Sequence, residues 1–151
     1  MACYRIRPAV VEDVDHLSRI AREADIRELW ASSRHMPREA MLQGLRVSDM
    51  AAVVEINGAP VCMFGVVPLS ADTGISWMIG STEIEKHKAS FFKASQEGIQ
   101  QMLKLFPVLV NYVDVRHVQA IQWLKRLGAQ FQEPTPYGVD GLPFSFFEIR
   151  G

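Results

Sequence analysis

Cysteine is scarce in this sequence, and no long apolar run is present. Cys3 and Cys62 are the two cysteines among 151 residues, and they form no CxxC pair. A disulfide framework is therefore not expected, and two reduced thiols in a cytosol-like compartment are predicted. The four histidines are scattered, without HExxH or paired spacing, so no metal site is predicted.

The sequence also lacks an excess of charge of either sign. Sixteen basic and 17 acidic residues leave a net charge of −1, which predicts no nucleic-acid or anionic-membrane partner. No run reaches the roughly 20 apolar residues of a membrane span. The first residues, MACYRIRPAVVEDVDH, have acids where a signal peptide has an apolar segment. We therefore expect a cytoplasmic protein, or one packaged into an assembly built inside the cell.

The composition is that of a globular protein, with 48% apolar and 22% charged residues. A chain of this length buries roughly two-thirds of its unfolded surface without disulfides or metals. No repeat or linker is evident, so one domain spanning residues 1–151 is predicted.

Periodicity predicts alternating strands and helices. Asn57-Gly58 lies between two apolar runs, which is the strongest short-range signal for a β-hairpin. Asp13 is a candidate N-cap for the first helix, whose apolar face extends to Ala24, and Pro37 suits the first position of the second helix. The predicted strands are 3–9, Met50–Ile56, Pro60–Val67, Gly74–Ile79, Val108–Val113, Ala129–Gln132 and Phe144–Ile149, and the later helices are Pro37–Val47, Ile84–Phe106 and a helix starting near His117.

The predicted order is therefore β-α-α-β-β-β-α-β-α-β-β. This pattern indicates an α/β fold with a mixed, mostly antiparallel sheet flanked by helices. The strand–helix–strand unit across residues 74–113 should place two strands parallel to each other.

This order resembles the fold of the GCN5-related N-acetyltransferases along essentially the whole chain. The penultimate helix of that family carries Asn-x₂-Ala-x₃-Tyr-x₃-Gly-Phe. The corresponding positions here are His117, Ala120, Leu124, Gly128 and Ala129. Alanine and glycine are retained, and Gly128 suits a left-handed helix cap. The tyrosine position is Leu124.

The second half of the chain also resembles the small internal virion protein family of short-tailed lytic phages. The similarity is carried by WMIGSTEIEKHKASFFKAS, by FPVLVNYVDVRHVQAIQWLKRLGAQF and by PFSFFEI. That resemblance implies a phage or prophage origin, a bacterial host cell and packaging in a virion. Members of this family are themselves thought to descend from the acetyltransferase fold.

The acetyltransferase resemblance implies binding of acetyl-CoA at the start of the long helix. Helix N-termini attract anions, and the family's loop, Gln/Arg-x-x-Gly-x-Gly/Ala, lets backbone amides approach the pyrophosphate. KHKASF stands at this place, with Phe91 at the second small position, where a phenyl ring would crowd the pyrophosphate. The alternatives are an anion site or a solvated basic turn. The resemblance implies cofactor-binding roles for Lys86, His87, Lys88, Ala89 and Ser90.

The resemblance further implies that the thioester lies beside the strand before that helix, where a bulge splays the sheet. This would place Trp77, Met78 and Ile79 at the acyl group. Core packing is the alternative role for Trp77.

Acid–base catalysis in the family uses a tyrosine and a carboxylate, and Leu124 cannot donate a proton. The candidates for this chemistry are Asp114, Tyr112 and Tyr137. Asp114 could instead cap the following helix. His117 is expected to be a surface residue of the first turn rather than a third proton donor. Glu55 and Asp72 are weaker candidates for the base.

Two functions of different class follow from the sequence. The first is an acyl-CoA-dependent N-acetyltransferase with an amine substrate and a degenerate pyrophosphate loop. The second is a non-catalytic internal virion or assembly protein with a virion protein as its partner. The second function requires an exposed apolar patch, expected on the PTPYGVDGLP loop or on the Trp30–Met36 turn.

Overall fold

The computed structural model describes residues 3–151. Its helices and strands follow the predicted order, with one additional helix and one additional short strand. The elements are β1 (Tyr4–Pro8), α1 (Val11–Ile20), α2 (Glu23–Ser33), α3 (Pro37–Val47), β2 (Met50–Ile56), β3 (Ala59–Pro68), β4 (Thr73–Gly80), a 3₁₀ turn (Thr82–His87), α4 (Lys88–Leu105), β5 (Val108–Asp114), α5 (Val118–Arg126), β6 (Gln130–Phe131), β7 (Thr135–Tyr137) and β8 (Leu142–Arg150).

The eight strands form one sheet in the order β1-β2-β3-β4-β5-β8-β6, with β7 paired to β8. The β4–β5 pair is parallel, as the strand–helix–strand prediction requires, and the other pairs are antiparallel. The predicted mixed, mostly antiparallel α/β fold is confirmed. No helix among the described residues is long and apolar enough to cross a bilayer.

Two apolar clusters fill the layers between sheet and helices. Phe91, Ala94 and Met102 anchor α4 in one cluster. Val14 and Met41 anchor α1 and α3 in the other. Burying these aliphatic and aromatic side chains, at about 25 cal/mol per Å² of apolar area, fixes both helix layers on the sheet.

The hairpin and the helix cap were predicted correctly. Asn57 and Gly58 have φ values of 52° and 84°, the left-handed pair that a two-residue hairpin turn requires. Gly128 has φ 95° at the end of α5, so it is the left-handed cap expected there.

The first predicted helix is wrong in its extent and its cap. The chain leaves the helix at Ala21, which bridges to Ser81, and the Arg22 amide donates to the Gly80 carbonyl at 3.2 Å. This pairing with the end of β4 divides the segment into α1 and α2. Asp13 lies within the first turn rather than at the N-cap, and its carboxylate accepts from the Val10 amide. The long helix likewise begins at Lys88 instead of Ile84, after a 3₁₀ turn.

Candidate active site at the opening between β4 and β5

The sheet opens between its two parallel strands. β4 and β5 pair only from Thr73 with Val108 to Ile75 with Val110. Beyond this point the Asn111 side chain bridges the strands, donating through Nδ2 to the Ser76 carbonyl at 2.5 Å and accepting from the Tyr112 amide at 2.7 Å. The remaining halves of both strands therefore leave backbone and side chains facing an opening in the sheet.

The expected cause of this opening is wrong. The β3–β4 pairing runs without a register shift from Cys62 with Gly80 to Pro68 with Gly74, so β4 has no bulge against β3 there. The register shift lies instead in the β2–β3 pair, between Val54 and Glu55. β5 remains paired with β8 over its full length, from Val108 to Asp114, so the opening lies only on its β4 side.

A cavity of about 530 Å³ occupies the opening and extends to both helix layers. One end lies among α2, α3 and Tyr137, and the other lies between α4 and α5. A cavity of this size falls in the range of small-molecule sites. The residues that line it and are discussed below are Arg22, Asp25, Glu28, Ser32, Trp77, Met78, Ile79, Lys88, Phe91, Asn111, Tyr112, His117, Ala120, Leu124 and Tyr137.

A buried ionic cluster holds α2 and α5 against the end of β4. The Asp25 carboxylate accepts from the Gly80 amide at 2.7 Å and from the Arg22 guanidinium at 3.1 and 3.2 Å. Its Oδ1 lies 2.9 Å from His117 Nε2. Burial opposes ionisation of Asp25, but His117 and Arg22 together with the Gly80 amide hold its pKa below the ordinary value. Asp25 is therefore an ionised, fully engaged carboxylate.

His117 is a buried cap rather than the predicted surface residue, because it is only 5% exposed. Its Nδ1 accepts from the Ala120 amide at 3.4 Å, so the side chain is the N-cap of α5. An accepting Nδ1 assigns the proton to Nε2, which then donates to Asp25. The predicted capping role of Asp114 is correspondingly wrong.

Asp114 is not among the residues that line the cavity. Its carboxylate binds the Arg116 guanidinium at 2.6 to 3.1 Å and the Arg116 amide at 2.9 Å. Burial opposes ionisation, yet these contacts lower its pKa. Asp114 therefore does not line the cavity in which the sequence predicted it to act as a base.

Glu28 lines the cavity together with Asp25. Its Oε2 accepts from the Asp114 amide at 2.9 Å. Burial raises the pKa of Glu28 to about 7. The Asp114 amide and the His117 charge oppose this rise, and the nearby charges of Asp25 and Asp114 add to it. A carboxyl group with this pKa exchanges protons near neutral pH, as a general base requires.

Tyr112 and Tyr137 bring their rings together on the same side of the cavity. Their centroids lie 4.1 Å apart with an interplanar angle of 17°, and Tyr137 also packs on Phe144. Burial raises the pKa of Tyr137, with smaller contributions from Tyr112 and Glu28. Both tyrosines remain candidate proton donors, and they form an aromatic wall beside Glu28.

The three predicted acyl-site residues of β4 point in alternating directions. Trp77 packs on the α1–α3 side with Ile79 and donates from Nε1 to Ser48 Oγ at 2.8 Å, in keeping with its packing alternative. Met78 is 37% exposed and lines the cavity. Met78 and the backbone around it therefore form the β4 edge of the opening.

The basic turn before α4 is neutralised by its own acids. Lys86 Nζ lies 3.0 Å from Glu83 Oε2, and Lys88 Nζ lies 3.2 Å from Glu85 Oε2. His87 occupies the N-cap position, and Ala89 and Ser90 fall in the first turn of α4, where amides point out of the helix. The start of α4 therefore keeps the positive end of the helix dipole, which attracts anions. The positive charges of Lys86 and Lys88 are compensated by the two glutamates.

The Phe91 side chain points into the core. Its ring therefore does not crowd a pyrophosphate in the way that the sequence predicted. It is 1% exposed and packs on the Trp123 ring at 5.2 Å. Leu124, in the tyrosine position of the family pattern, lines the cavity from α5. The weaker candidates lie elsewhere: Glu55 pairs with Arg7 at 2.5 Å, and Asp72 accepts from Ser70 and Thr73 in an exposed turn.

Sequence reasoning missed Asp25 and Glu28. They lie three residues apart in α2, which places them on one helix face, but acids at this spacing are common on solvated helices. Their burial depends on contacts with Gly80, His117 and Asp114, each more than 50 residues away in the chain.

Comparison with solved structures identifies the architecture. Spermidine N-acetyltransferase from Vibrio cholerae, in complex with CoA and spermine, superposes with a TM-score of 0.74 at 10% identity, covering 97% of this chain and 95% of that one. The chain has the GCN5-related N-acetyltransferase fold. Phosphinothricin acetyltransferase from Sinorhizobium meliloti, in complex with acetyl-CoA, gives 0.74 at 16% identity, covering 97% and 88%. Ribosomal-protein-alanine N-acetyltransferase from Brucella melitensis gives 0.73 at 15% identity, covering 97% and 99%.

Sequence comparison gives a different kind of match. The family model described as "Bacteriophage T7, probable scaffold protein Gp13" matches residues 68–135. This segment runs from the end of β3 to the start of β7 and includes α4 and α5. No curated protein sequence matches the chain.

Proposed function

We propose that this protein is an acyl-CoA-dependent N-acyltransferase. The observation that carries the proposal is the cavity of about 530 Å³, which connects the α4–α5 groove with Glu28 through the opening between β4 and β5. Acyl transfer to an amine needs such a passage, because donor and acceptor must meet within reacting distance while approaching from different directions.

The residues of the α4 side fit the donor. Met78 and Leu124 offer apolar surface, and the first turn of α4 offers amides and a positive dipole end to phosphate groups. The inward orientation of Phe91 leaves that turn free of its phenyl ring. Lys86 and Lys88 add positive charge beside the phosphate groups, and each also remains paired with a glutamate, Glu83 or Glu85.

The test is calorimetric titration with acetyl-CoA. We expect micromolar binding, weakened about 2- to 30-fold in a Lys86→Ala, Lys88→Ala variant, since each exposed ion pair with a phosphate group contributes roughly 0.2–1 kcal/mol. A Lys104→Ala, Lys125→Ala variant removes the same charge outside this turn and should bind like the parent protein. No heat at millimolar acetyl-CoA would exclude the transferase proposal.

A second candidate function, that of a phage virion or assembly protein, is favoured by the family match over residues 68–135. The two surfaces predicted for docking are joined in the structure. Arg34 pairs with Asp140, and the Val139 amide donates to the Ser32 carbonyl at 3.1 Å. Trp30 is 48% exposed and Val139 is 58% exposed, so this joint surface presents apolar side chains to solvent.

Mass spectrometry of purified particles of the encoding phage would test the second candidate. We expect peptides of this chain in the particles, and fewer copies when Trp30 and Val139 are both changed to Asp. Val118→Asp changes another exposed valine, 59% exposed on α5, and serves as the control. Particles that contain no copy of the chain would contradict a role inside the virion.

A further inference from the structure

At the α2 end of the cavity, the Glu28 carboxylate forms no ion pair with any side chain among the described residues. Arg22 and Lys88 are the cavity-lining residues with a permanent positive charge among those described. Arg22 is bound to Asp25 by two hydrogen bonds, and Lys88 pairs with Glu85 at the start of α4. Glu28 receives its hydrogen bond from a backbone amide, which carries no net charge.

The same end is aromatic. The stacked rings of Tyr112 and Tyr137 form a flat wall, and both line the cavity together with Glu28. An ammonium group is stabilised by a carboxylate and by the faces of electron-rich rings, whereas a carboxylate ligand is repelled by both.

We propose that this end of the cavity is an acceptor subsite for a primary amine that bears no carboxylate, with Glu28 binding the ammonium group and then removing its proton. The proposal rests on the acyltransferase function. The apolar body of the amine lies along Tyr112 and Tyr137, which favours aromatic or alkyl amines over free amino acids. Asp25 is not available for this role, because Gly80, Arg22 and His117 already occupy its oxygens.

Glu28 takes part in one proton-transfer step of the proposed reaction. The ammonium group gives one proton to the Glu28 carboxylate, and the freed nitrogen lone pair forms a bond to the thioester carbonyl carbon. The carbon–sulfur bond then breaks, and the second nitrogen proton is transferred to the departing thiolate. The products are the amide and the free thiol, and Glu28 returns its proton to water.

Direct binding of two probes tests the subsite without acyl-CoA. Phenethylamine and phenylalanine share the same aromatic body and amine, and differ by the carboxylate. Calorimetry or ligand-observed NMR should show phenethylamine binding at least 10-fold more tightly than phenylalanine. Glu28→Gln should weaken phenethylamine binding about 10-fold or more, while Glu23→Gln, an exposed change on the same helix, should leave it unaltered.

Acetyl-CoA titration of the same variants separates this inference from the proposed function. Glu28→Gln should bind acetyl-CoA within about 2-fold of the parent protein, which also shows that the variant is folded. Its kcat/KM for acetyl transfer to phenethylamine should fall about 10²- to 10⁴-fold, the range of a positioned general base.

Two results would overturn the subsite. One is phenylalanine binding as tightly as phenethylamine, and the other is unchanged phenethylamine binding or turnover in Glu28→Gln. If acetyl-CoA binds normally in either case, the transferase proposal stands and only the subsite fails. If phenethylamine binds through Glu28 but acetyl-CoA does not bind, the transferase proposal and the acceptor role both fail, and the cavity end is an amine-binding site only.

Discussion

Leu124 lines the cavity at the position where the acetyltransferase pattern has a tyrosine. A leucine cannot give a proton to a departing thiolate, so that step depends on another donor or on water. Positioned acid–base groups contribute about 10²- to 10⁴-fold, so an acyltransferase with leucine at this position would be slowed and not inactivated.

Replacing this leucine should therefore increase transferase activity. We expect Leu124→Tyr to raise kcat/KM for transfer to phenethylamine about 10- to 100-fold. Leu124→Phe introduces the same ring without the hydroxyl group and should stay near the parent value. Equal rates for the two variants would mean that the hydroxyl group is not within reach of the leaving sulfur.

Glu28 should make the folded state less stable as pH rises. Its pKa is about 7 in the fold against an ordinary value of 4.5, so the folded protein binds more protons than the unfolded chain between these values. The stabilisation is complete below pH 4.5 and is lost as pH rises through 7. Glu28→Gln removes the titrating group, and with it this loss of stability at high pH. By urea unfolding, the variant should be up to about 3 kcal/mol more stable than the parent at pH 8, and close to it at pH 4.5.

Two observations would decide this prediction. Glu23→Gln is the matched control on the exposed side of α2 and should show no pH-dependent difference from the parent. A constant offset between Glu28→Gln and the parent across pH 4.5–8 would mean that Glu28 titrates normally in the fold.

At the scale of elements, α3 lies close enough to β4 to require a glycine. A Cβ at Gly44 would lie 2.5 Å from Cζ2 of Trp77, a ring fixed by its hydrogen bond to Ser48. Elsewhere in a helix, Gly→Ala is worth about 1 kcal/mol of added stability. At Gly44 the contact with Trp77 makes the same substitution destabilising.

Gly44→Ala should lower the free energy of unfolding by about 1–3 kcal/mol, as overpacking does. The double variant Gly44→Ala, Trp77→Phe removes the crowded part of the indole ring, and should show a favourable coupling of about 1 kcal/mol or more in a double-mutant cycle. Arg46→Ala, an exposed change on α3, controls for helix propensity. A Gly44→Ala protein as stable as its parent would show that α3 can move away from β4.

The elements that local signals specify were predictable from the sequence. Asn57-Gly58 has the residue types that a two-residue turn demands, and Gly128 ends an amphipathic helix. The break at Ala21 was not predictable, because it depends on pairing with Ser81, 60 residues away. Glu28 could not be predicted for the same reason. The residues next to it in the sequence do not distinguish it from an exposed glutamate, because its environment is formed by the end of β5.

At the scale of the whole molecule, fold and sequence similarity point to different functions. The fold is shared with acetyltransferases at 16% identity or less in the structures compared above, which establishes architecture and not activity. The match to the model of a probable phage scaffold protein covers the segment that holds α4, β5 and α5, which line one side of the cavity. Binding of acetyl-CoA in the cavity can therefore be tested by measuring the stability of the whole molecule.

Donor binding should stabilise the entire fold by mass action. At acetyl-CoA concentrations about 100-fold above Kd, the gain is about 2.7 kcal/mol, which corresponds to a rise in Tm of about 5–10 °C for a domain of this size. Ala120→Trp fills the α5 side of the cavity and should abolish the rise, while Ala120→Ser should keep it. Each variant is compared with its own Tm without acetyl-CoA, after circular dichroism confirms its helix content. An unchanged Tm of the parent protein at millimolar acetyl-CoA would contradict the transferase and favour the virion protein.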